Sequence, residues 1–336
     1  EPGPACYGKG GTRPTVTDAI VVMGWYRPSA LRASGLEIDP DKAREAIERE
    51  IAEPLQLTLQ EAAVGIYRIA VNNMAEAIRL NSVARGFDPR DFALVAYGGA
   101  GAAFVVDVAR ELSMKTVIVP PAAGVGAASG LLVTDMKYDR QATLWEFVDN
   151  ASVKKVETAM QTLGEKVASR LREDGFGENA SDIRFTADCR YQGQGYELSV
   201  PLPSPPVNDD WKKAVSERFH KAHEQAYTRS FADKPVMIVN ICATGIGSIP
   251  ALSTPTIDEA ARQALPVSES PAWFIKGPEV VRCDTRFYQR DDFGAGEGPA
   301  GPAIVEQSDT TTILGPDTRT SVGEFGHLIV TLEGEA

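Results

Sequence analysis

From residue 58 the chain places apolar residues at 59, 63, 66, 70, 74, 77 and 78, in steps of three and four with one closing step of one. That spacing predicts an amphipathic helix to about Leu80, and Thr58 with Glu61 three residues on supplies a capping box at its start. Upstream, Asp39-Pro40 predicts a second helix start, aspartate as cap and proline in the first turn, leading through about Asp41 to Glu53. The apolar run Ala19 to Trp25, preceded by the capping groups Thr17 and Asp18, suits a helix or a buried strand equally. Further on, the strand pattern Phe92 to Ala96 runs into Gly98-Gly99-Ala100-Gly101 and then a helical run to Leu112. Thr116 to Val119 reads as another strand, followed by Pro120-Pro121, the turn Gly124-Val125-Gly126 and a small-residue helix ending near Leu132. Strand, helix, strand, helix in roughly 40 residues predicts a right-handed parallel unit whose ligands sit at the carboxyl ends of the strands, where both glycine turns fall.

Beyond about Tyr138 the texture changes. A helix from about Ser152 to Arg172 is expected, then a hairpin of Ile183–Tyr191 and Tyr196–Pro201 around Gln192-Gly193-Gln194-Gly195, a helix from Asp209 to Tyr227 and a strand from Val236 to Thr244. Leu252 to Pro271, rich in Pro, Ser and Thr, reads as a linker, and short strands at Ala303–Gln307, Thr310–Leu314 and His327–Leu332 read as a small β module.

Composition narrows the possibilities. With 336 residues, 43% of them hydrophobic and 24% charged, the chain has the size and make-up of a two-domain globular protein. A net charge of −12 without clustered Lys and Arg argues against nucleic acid or an anionic membrane as partner. No apolar run approaches the ~18 residues of a membrane span. Cys6, Cys189, Cys242 and Cys283 are far apart, without a Cys-x-x-Cys pair, which fits reduced, buried thiols and a cytoplasmic setting. The first residue is Glu1, not methionine, and it opens directly into a Gly/Pro-rich loop; the expectation is a piece of a longer sequence.

The candidate chemistry centres on Gly98, Gly99, Ala100 and Gly101. Unpaired amides at a helix start carry partial positive charge, and glycine lets a ligand approach them, so this turn is a candidate for nucleotide binding; a tight strand-to-helix connection would favour glycine for packing alone. The dinucleotide fingerprint fails, because Phe104 stands where its last glycine belongs, and Gly8-Lys9-Gly10-Gly11-Thr12 is no phosphate-cradling loop. His220 and Glu224, one helical turn apart, have a spacing that can chelate a metal, although solvated side chains are the favoured reading. Asp135 and Asp139 form either a magnesium pair or a surface turn, with the turn favoured. No Gly-x-Ser-x-Gly elbow is present, and three histidines leave few bases for a Ser-His-Asp triad.

Several motifs in order carry a resemblance. Glu-Pro-Gly-Pro-Ala-Cys-Tyr-Gly-Lys-Gly-Gly-Thr-Arg-Pro-Thr-Val-Thr-Asp at residues 1–18, Arg-Gly-Phe-Asp-Pro-Arg-Asp-Phe-Ala-Leu-Val-Ala-Tyr-Gly-Gly-Ala-Gly at 85–101, Val119-Pro-Pro, Gly130-Leu-Leu, Cys-Arg-Tyr-Gln-Gly-Gln-Gly-Tyr-Glu-Leu at 189–198 and Gly-Pro-Ala-Ile-Val-Glu-Gln-Ser-Asp-Thr-Thr-Thr at 301–312 strongly resemble the hydantoinase A family, which includes N-methylhydantoinase, 5-oxoprolinase and subunits of acetone and acetophenone carboxylases. The resemblance implies an α/β fold: part of an acetate-kinase/sugar-kinase/actin-like ATPase lobe, followed by an α+β carboxyl-terminal domain with a small β module. The implied division is 1–140 for the lobe, with a helical subdomain at 36–85, then 141–252 and 253–336. It implies that Gly98, Gly99, Ala100 and Gly101 contact the adenosine of ATP, while the two Gly-Gly-Thr phosphate loops of the family precede residue 1. Asp18 is the chosen carboxylate near the Mg2+ (or Mn2+) and phosphates, against plain helix capping. The implied chemistry is ATP-driven phosphorylation of a carbonyl or amide oxygen, giving a phosphorylated enol or imidate and leading to cyclic amide hydrolysis or ketone carboxylation. The implied partners are the amino-terminal half of the family, a hydantoinase B-type subunit and a small cyclic amide or ketone. A noncatalytic scaffold is the alternative.

Overall fold

The computed structural model describes residues 2–28, 35, 37–250, 253–258 and 264–333. Glu1, residue 36 of the expected helical subdomain and residues 252 and 259–263 of the expected linker lie outside them. The chain divides into two compact units, one built from residues 1–132 and 253–336 and the other from 133–252.

In the first unit, α1 (Val16–Val22) is a helix capped by Thr15, which settles the helix-or-strand alternative and moves the cap from the expected Thr17. Asp39 caps α2 (Pro40–Ile47) as expected. The capping box of Thr58 and Glu61 opens α3 (Leu59–Asn81), with both reciprocal hydrogen bonds formed. Its buried face is rotated from the expected one. Ala63, Tyr67, Val71 and Ala75 point inward, whereas Met74 and Ala77 are exposed. The strict spacing of four lets Tyr67 take the central place, and small alanines above and below it allow close packing. The Tyr67 ring stacks on Phe104 at 5.2 Å and lies perpendicular to Trp25 at 4.9 Å, and Phe274 completes the cluster.

The strand β1 (Leu94–Val95), the helix α4 (Gly101–Glu111), the strand β2 (Thr116–Val119) and the short helix α5 (Gly126–Leu131) form the expected parallel unit, with Leu94 beside Val117 and Val95 beside Ile118. In the second unit, a strand absent from the sequence reading, β3 (Met136–Phe147), is followed by α6 (Val153–Glu173), the hairpin β4 (Ser181–Tyr191) and β5 (Leu198–Pro201), α7 (Asp209–Tyr227) and β6 (Val236–Gly247). The sheet order is β3-β6-β4-β5. α6 packs its row Val156, Met160, Leu163, Val167 and Leu171 against this sheet, and Gly245 admits Val167, which would lie 2.9 Å from an added Cβ.

The remaining strands return to the first unit: β7 (Ser268–Lys276), β8 (Glu279–Gln289), β9 (Gly296–Glu297), β10 (Ala303–Glu306), β11 (Thr311–Leu314), β12 (Thr318–Val322) and β13 (Leu328–Leu332). They do not stand apart as a separate module. β13 pairs antiparallel with β2, Val330 beside Val117, in a sheet ordered β1-β2-β13-β12-β9, while β11-β10-β8-β7 make a second sheet. The physical reason is burial: Val117, Val119, Leu328 and Val330 are all buried, and β13 pairs the edge that β2 turns away from β1. Described residues of the expected linker at 268–271 are already β7.

Candidate functional site

Both glycine turns leave the carboxyl ends of neighbouring parallel strands. Gly98 has φ of 88°, a conformation that strains any residue with a Cβ, and its N–H donates to the Ala123 carbonyl at 2.7 Å, which fixes the two turns side by side. α4 begins three residues later. Its N-cap is Ala100, which makes no side-chain cap; Gly101 N–H donates to the Gly98 carbonyl and Ala103 N–H to the Ala100 carbonyl, each at 3.0 Å, so the turn satisfies part of the helix start itself. Gly99 and Ala100 are exposed, and a Cβ on Gly98 or Gly101 would meet nothing within 4 Å. The corner is open, and the Tyr97 ring beside it is 65% exposed.

Its back is closed by the turn between β10 and β11. Thr310 Oγ1 donates to the Gly99 carbonyl at 3.0 Å, Gly124 N–H donates to Asp309 Oδ2 at 2.9 Å, and Gln307 Nε2 donates to the Pro121 carbonyl. The fit at Gly124 is tight, because an added Cβ would lie 2.0 Å from the Asp309 carbonyl oxygen. The sequence motif around residue 309 entered the family resemblance but carried no role. The contacts that give it one cross 185 and 211 residues of chain, beyond any local signal.

Asp18 is placed differently from its expected position at a metal. It is completely buried at the third position of α1, where Oδ1 accepts from Cys6 N–H at 2.7 Å and Oδ2 from Thr15 N–H and Thr15 Oγ1 at 2.8 Å and Ala5 N–H at 3.2 Å. The carboxylate thus folds the Pro2–Thr15 loop onto the helix start. A side chain with no accessible surface and four donors around it is not presented to a magnesium ion. The buried Cys6 thiol beside it is pushed up, by burial first and then by the Asp18 carboxylate, so it stays protonated. Among the described residues no group of three or more His, Cys, Asp or Glu side chains converges to hold a metal.

The other candidates lie in the second unit. Asp135 Oδ1 accepts from Ile249 N–H at 3.1 Å and Asp139 Oδ1 from Thr244 Oγ1 at 2.5 Å, so each is occupied along the sheet. The Tyr191 hydroxyl accepts from Phe231 N–H at 2.8 Å and lies 2.7 Å from His220 Nδ1. His223 directs Nδ1 to the Arg229 carbonyl at 2.6 Å and Nε2 to Gln194 at 3.1 Å. His220 and His223 therefore belong to an aromatic cluster with Tyr191, Phe219 and Phe231 that anchors the Gln192–Gly195 turn, while Glu224, the expected metal partner of His220, is exposed.

Burial, and then the neighbouring His223, hold the His220 imidazole below its ordinary value of 6.5. Above that pH both folded and unfolded chains are neutral at this position; as the pH falls through about 6.5 the unfolded chain takes up the proton first, and stability falls with it. Thermal melts of the second unit are expected to shift downward between about pH 7 and 5, and His220→Gln is expected to flatten that slope. An unchanged slope in the variant would remove His220 as the cause.

A family model described as hydantoinase/oxoprolinase matches residues 1–140, and one described as hydantoinase/oxoprolinase C-terminal domain matches residues 146–331. The chain belongs to the hydantoinase/oxoprolinase family. Among relatives in this family, caprolactamase subunit alpha of Pseudomonas jessenii is 35% identical over 332 residues, covering 96% of this chain and 47% of its own length. The acetophenone carboxylase gamma subunit of Aromatoleum aromaticum is 32% identical over 343 residues, covering 98% of this chain and 46% of its own. A crystal structure of the ATP-dependent caprolactamase from Pseudomonas jessenii matches with a TM-score of 0.75 and 33% identity, over 99% of this chain and 49% of that one. The chain thus spans about half the length of these hydantoinase/oxoprolinase relatives, and it has the α/β fold that the resemblance implied.

Proposed function

We propose that this chain forms the carboxyl-terminal half of an ATP-dependent enzyme that phosphorylates a carbonyl or amide oxygen to drive either cyclic amide hydrolysis or ketone carboxylation. The observation that carries the reading is the open corner at Gly98–Gly101. It combines a helix start without a side-chain cap, a turn in which three residues of four carry no Cβ, and a position at the carboxyl ends of two parallel strands. Gly98, Gly99, Ala100 and Gly101 hold the nucleoside end of ATP in this reading. ATP, when bound, supplies the phosphoryl group that activates the oxygen, and transfer rests on positioning and charge neutralisation. Asp18, buried against four donors, is not free to hold magnesium (or manganese), so the ligands of that ion are assigned to the phosphates and to the amino-terminal half.

That half has a surface to occupy. Among the described residues β1 pairs on one side only, with β2, and Phe92 and Val95, before and within it, are 54% and 48% exposed. An unpaired, apolar edge strand is a place for another strand to add. A hydantoinase B-type subunit is the further proposed partner. The names of the relatives support both chemistries, caprolactam on one side and acetophenone on the other, and the substrate is assigned to a pocket completed by the partners.

A helix start contributes only about 0.3–2 kcal/mol, whereas micromolar binding needs about 8 kcal/mol. Calorimetric titration with ATP and magnesium is therefore expected to give no measurable binding to this chain alone and clear binding after the amino-terminal half is added. Binding in neither would favour a noncatalytic scaffold. ATP turnover with cyclic amides, compared with ketones plus bicarbonate, then separates hydrolysis from carboxylation.

A further inference from the structure

We infer that Asp309 and Thr310 are positioning residues of the nucleotide corner: through them a hairpin turn of the second sheet sets the spacing of the two glycine turns at the end of the first. The inference rests on the nucleotide reading above and adds residues that nothing in the glycine motif contains.

The two glycine turns are joined to each other by the Gly98–Ala123 bond, but little else holds the pair in place. β1 is two residues long, Gly98 occupies a conformation open to glycine, and α4 has no side-chain cap. The turn Gln307–Thr310 supplies a second constraint. It is closed on itself by Gln307 N–H donating to the Thr310 carbonyl at 3.0 Å, and it is mounted on β10 and β11, whose eight residues are all buried. From this rigid base one residue reaches each turn: the Thr310 hydroxyl bonds the Gly99 carbonyl and the Asp309 carboxylate bonds the Gly124 amide. The Asp309 carbonyl oxygen also lies 3.6 Å from where a Cβ on Gly99 would be, so the same residue backs both turns.

Plain packing leaves one feature of Asp309 without a reason. Its Oδ1 is buried with no hydrogen-bond partner, although an amide side chain could accept from Gly124 equally well without burying a charge. The charge strengthens the single bond that Oδ2 makes to Gly124. Loss of the carboxylate frees the turn after β2, and with it the Ala123 carbonyl that holds Gly98.

The test uses the intact complex in which this chain works. Wild-type binding of ATP is measured first, since its absence would end the nucleotide reading whatever Asp309 does. Amide exchange at residues 98–101 and 123–126, followed without nucleotide, then reports the tie by itself. Asp309→Ala and Thr310→Val are expected to speed exchange at these residues. Asp309→Ala, which loses a bond to a carboxylate, is expected to raise KM for ATP about tenfold, and Thr310→Val, which loses a neutral bond, about fivefold, with kcat at saturating ATP within about twofold for both. Thr310→Ser, which keeps the hydroxyl, is expected to restore both readouts. If Asp309→Ala does not fold, the Thr310→Val and Thr310→Ser pair decides alone. Unchanged exchange overturns the tie, and unchanged KM for ATP in a folded variant overturns the positioning role.

Discussion

Asp18→Ala is expected to destabilise the first unit by about 3–5 kcal/mol. Four donors lose their acceptor at once, three of them backbone amides, and each buried donor left unpaired costs about 1–3 kcal/mol before water reaches it. The helix start loses its capping carboxylate in the same step. For a unit of this size the change corresponds to a drop in Tm of roughly 10 °C. Thr15→Ala removes only the hydroxyl side of the capping box and is expected to cost about 1 kcal/mol. Melting temperatures by calorimetry, with limited proteolysis of the Pro2–Thr15 loop, check both. A fall of less than 1 kcal/mol for Asp18→Ala would mean that the loop is held elsewhere. A selective loss of magnesium-dependent ATP binding at full stability would restore the metal role that the buried geometry denies it.

Gly124→Ala is expected to have the second large effect. The added methyl would lie 2.0 Å from the Asp309 carbonyl oxygen, 2.5 Å from its carbon and 2.7 Å from its Cβ. None of these atoms is the end of a flexible side chain, so the hairpin turn has to move away as a body. Overpacking costs about 1–3 kcal/mol, and the displaced Asp309–Gly124 bond adds about 1.5–3 kcal/mol. ATP affinity of the intact complex is expected to fall at least about tenfold. Gly99→Ala is the contrasting variant. Its Cβ would make an ordinary 3.6 Å contact with the same oxygen, and stability within about 0.5 kcal/mol of wild type is expected. Equal melting temperatures for Gly124→Ala and Gly99→Ala would show that the turns are not braced by residue 309.

Much of the framework was legible because it is written locally. Thr58 with Glu61, Asp39 with Pro40 and the bounds Asp209–Tyr227 state helix starts and lengths within a few residues of themselves, and the parallel unit around Gly98 follows from two short apolar runs with a glycine turn after each. What failed was set by distant partners. β3 carries Lys137, Asp139, Arg140 and Gln141 on a half-exposed edge of its sheet, so no apolar alternation marks it. The rotated face of α3 was decided by Trp25 and Phe104, which sequence spacing within the helix does not contain. The carboxyl-terminal strands read correctly as strands, but nothing in them said that β13 would join β2 across the whole second unit. At the candidate corner the glycines were visible from their order alone, whereas Asp309 and Thr310 were not, because their meaning lies in what they touch. Asp18 misled for a related reason. A carboxylate after a glycine-rich loop is the pattern of a metal ligand and of a loop anchor alike, and only the four donors around it distinguish them.

The most direct measurement is an experimental structure of the intact complex with a non-hydrolysable ATP analogue. Adenosine lying against the backbone of Gly98–Gly101, with the phosphates directed away from Asp309 toward the amino-terminal half, is the expected result. Adenosine bound at another place, with the Gly98–Gly101 corner covered by protein, would contradict the nucleotide reading on which the function rests.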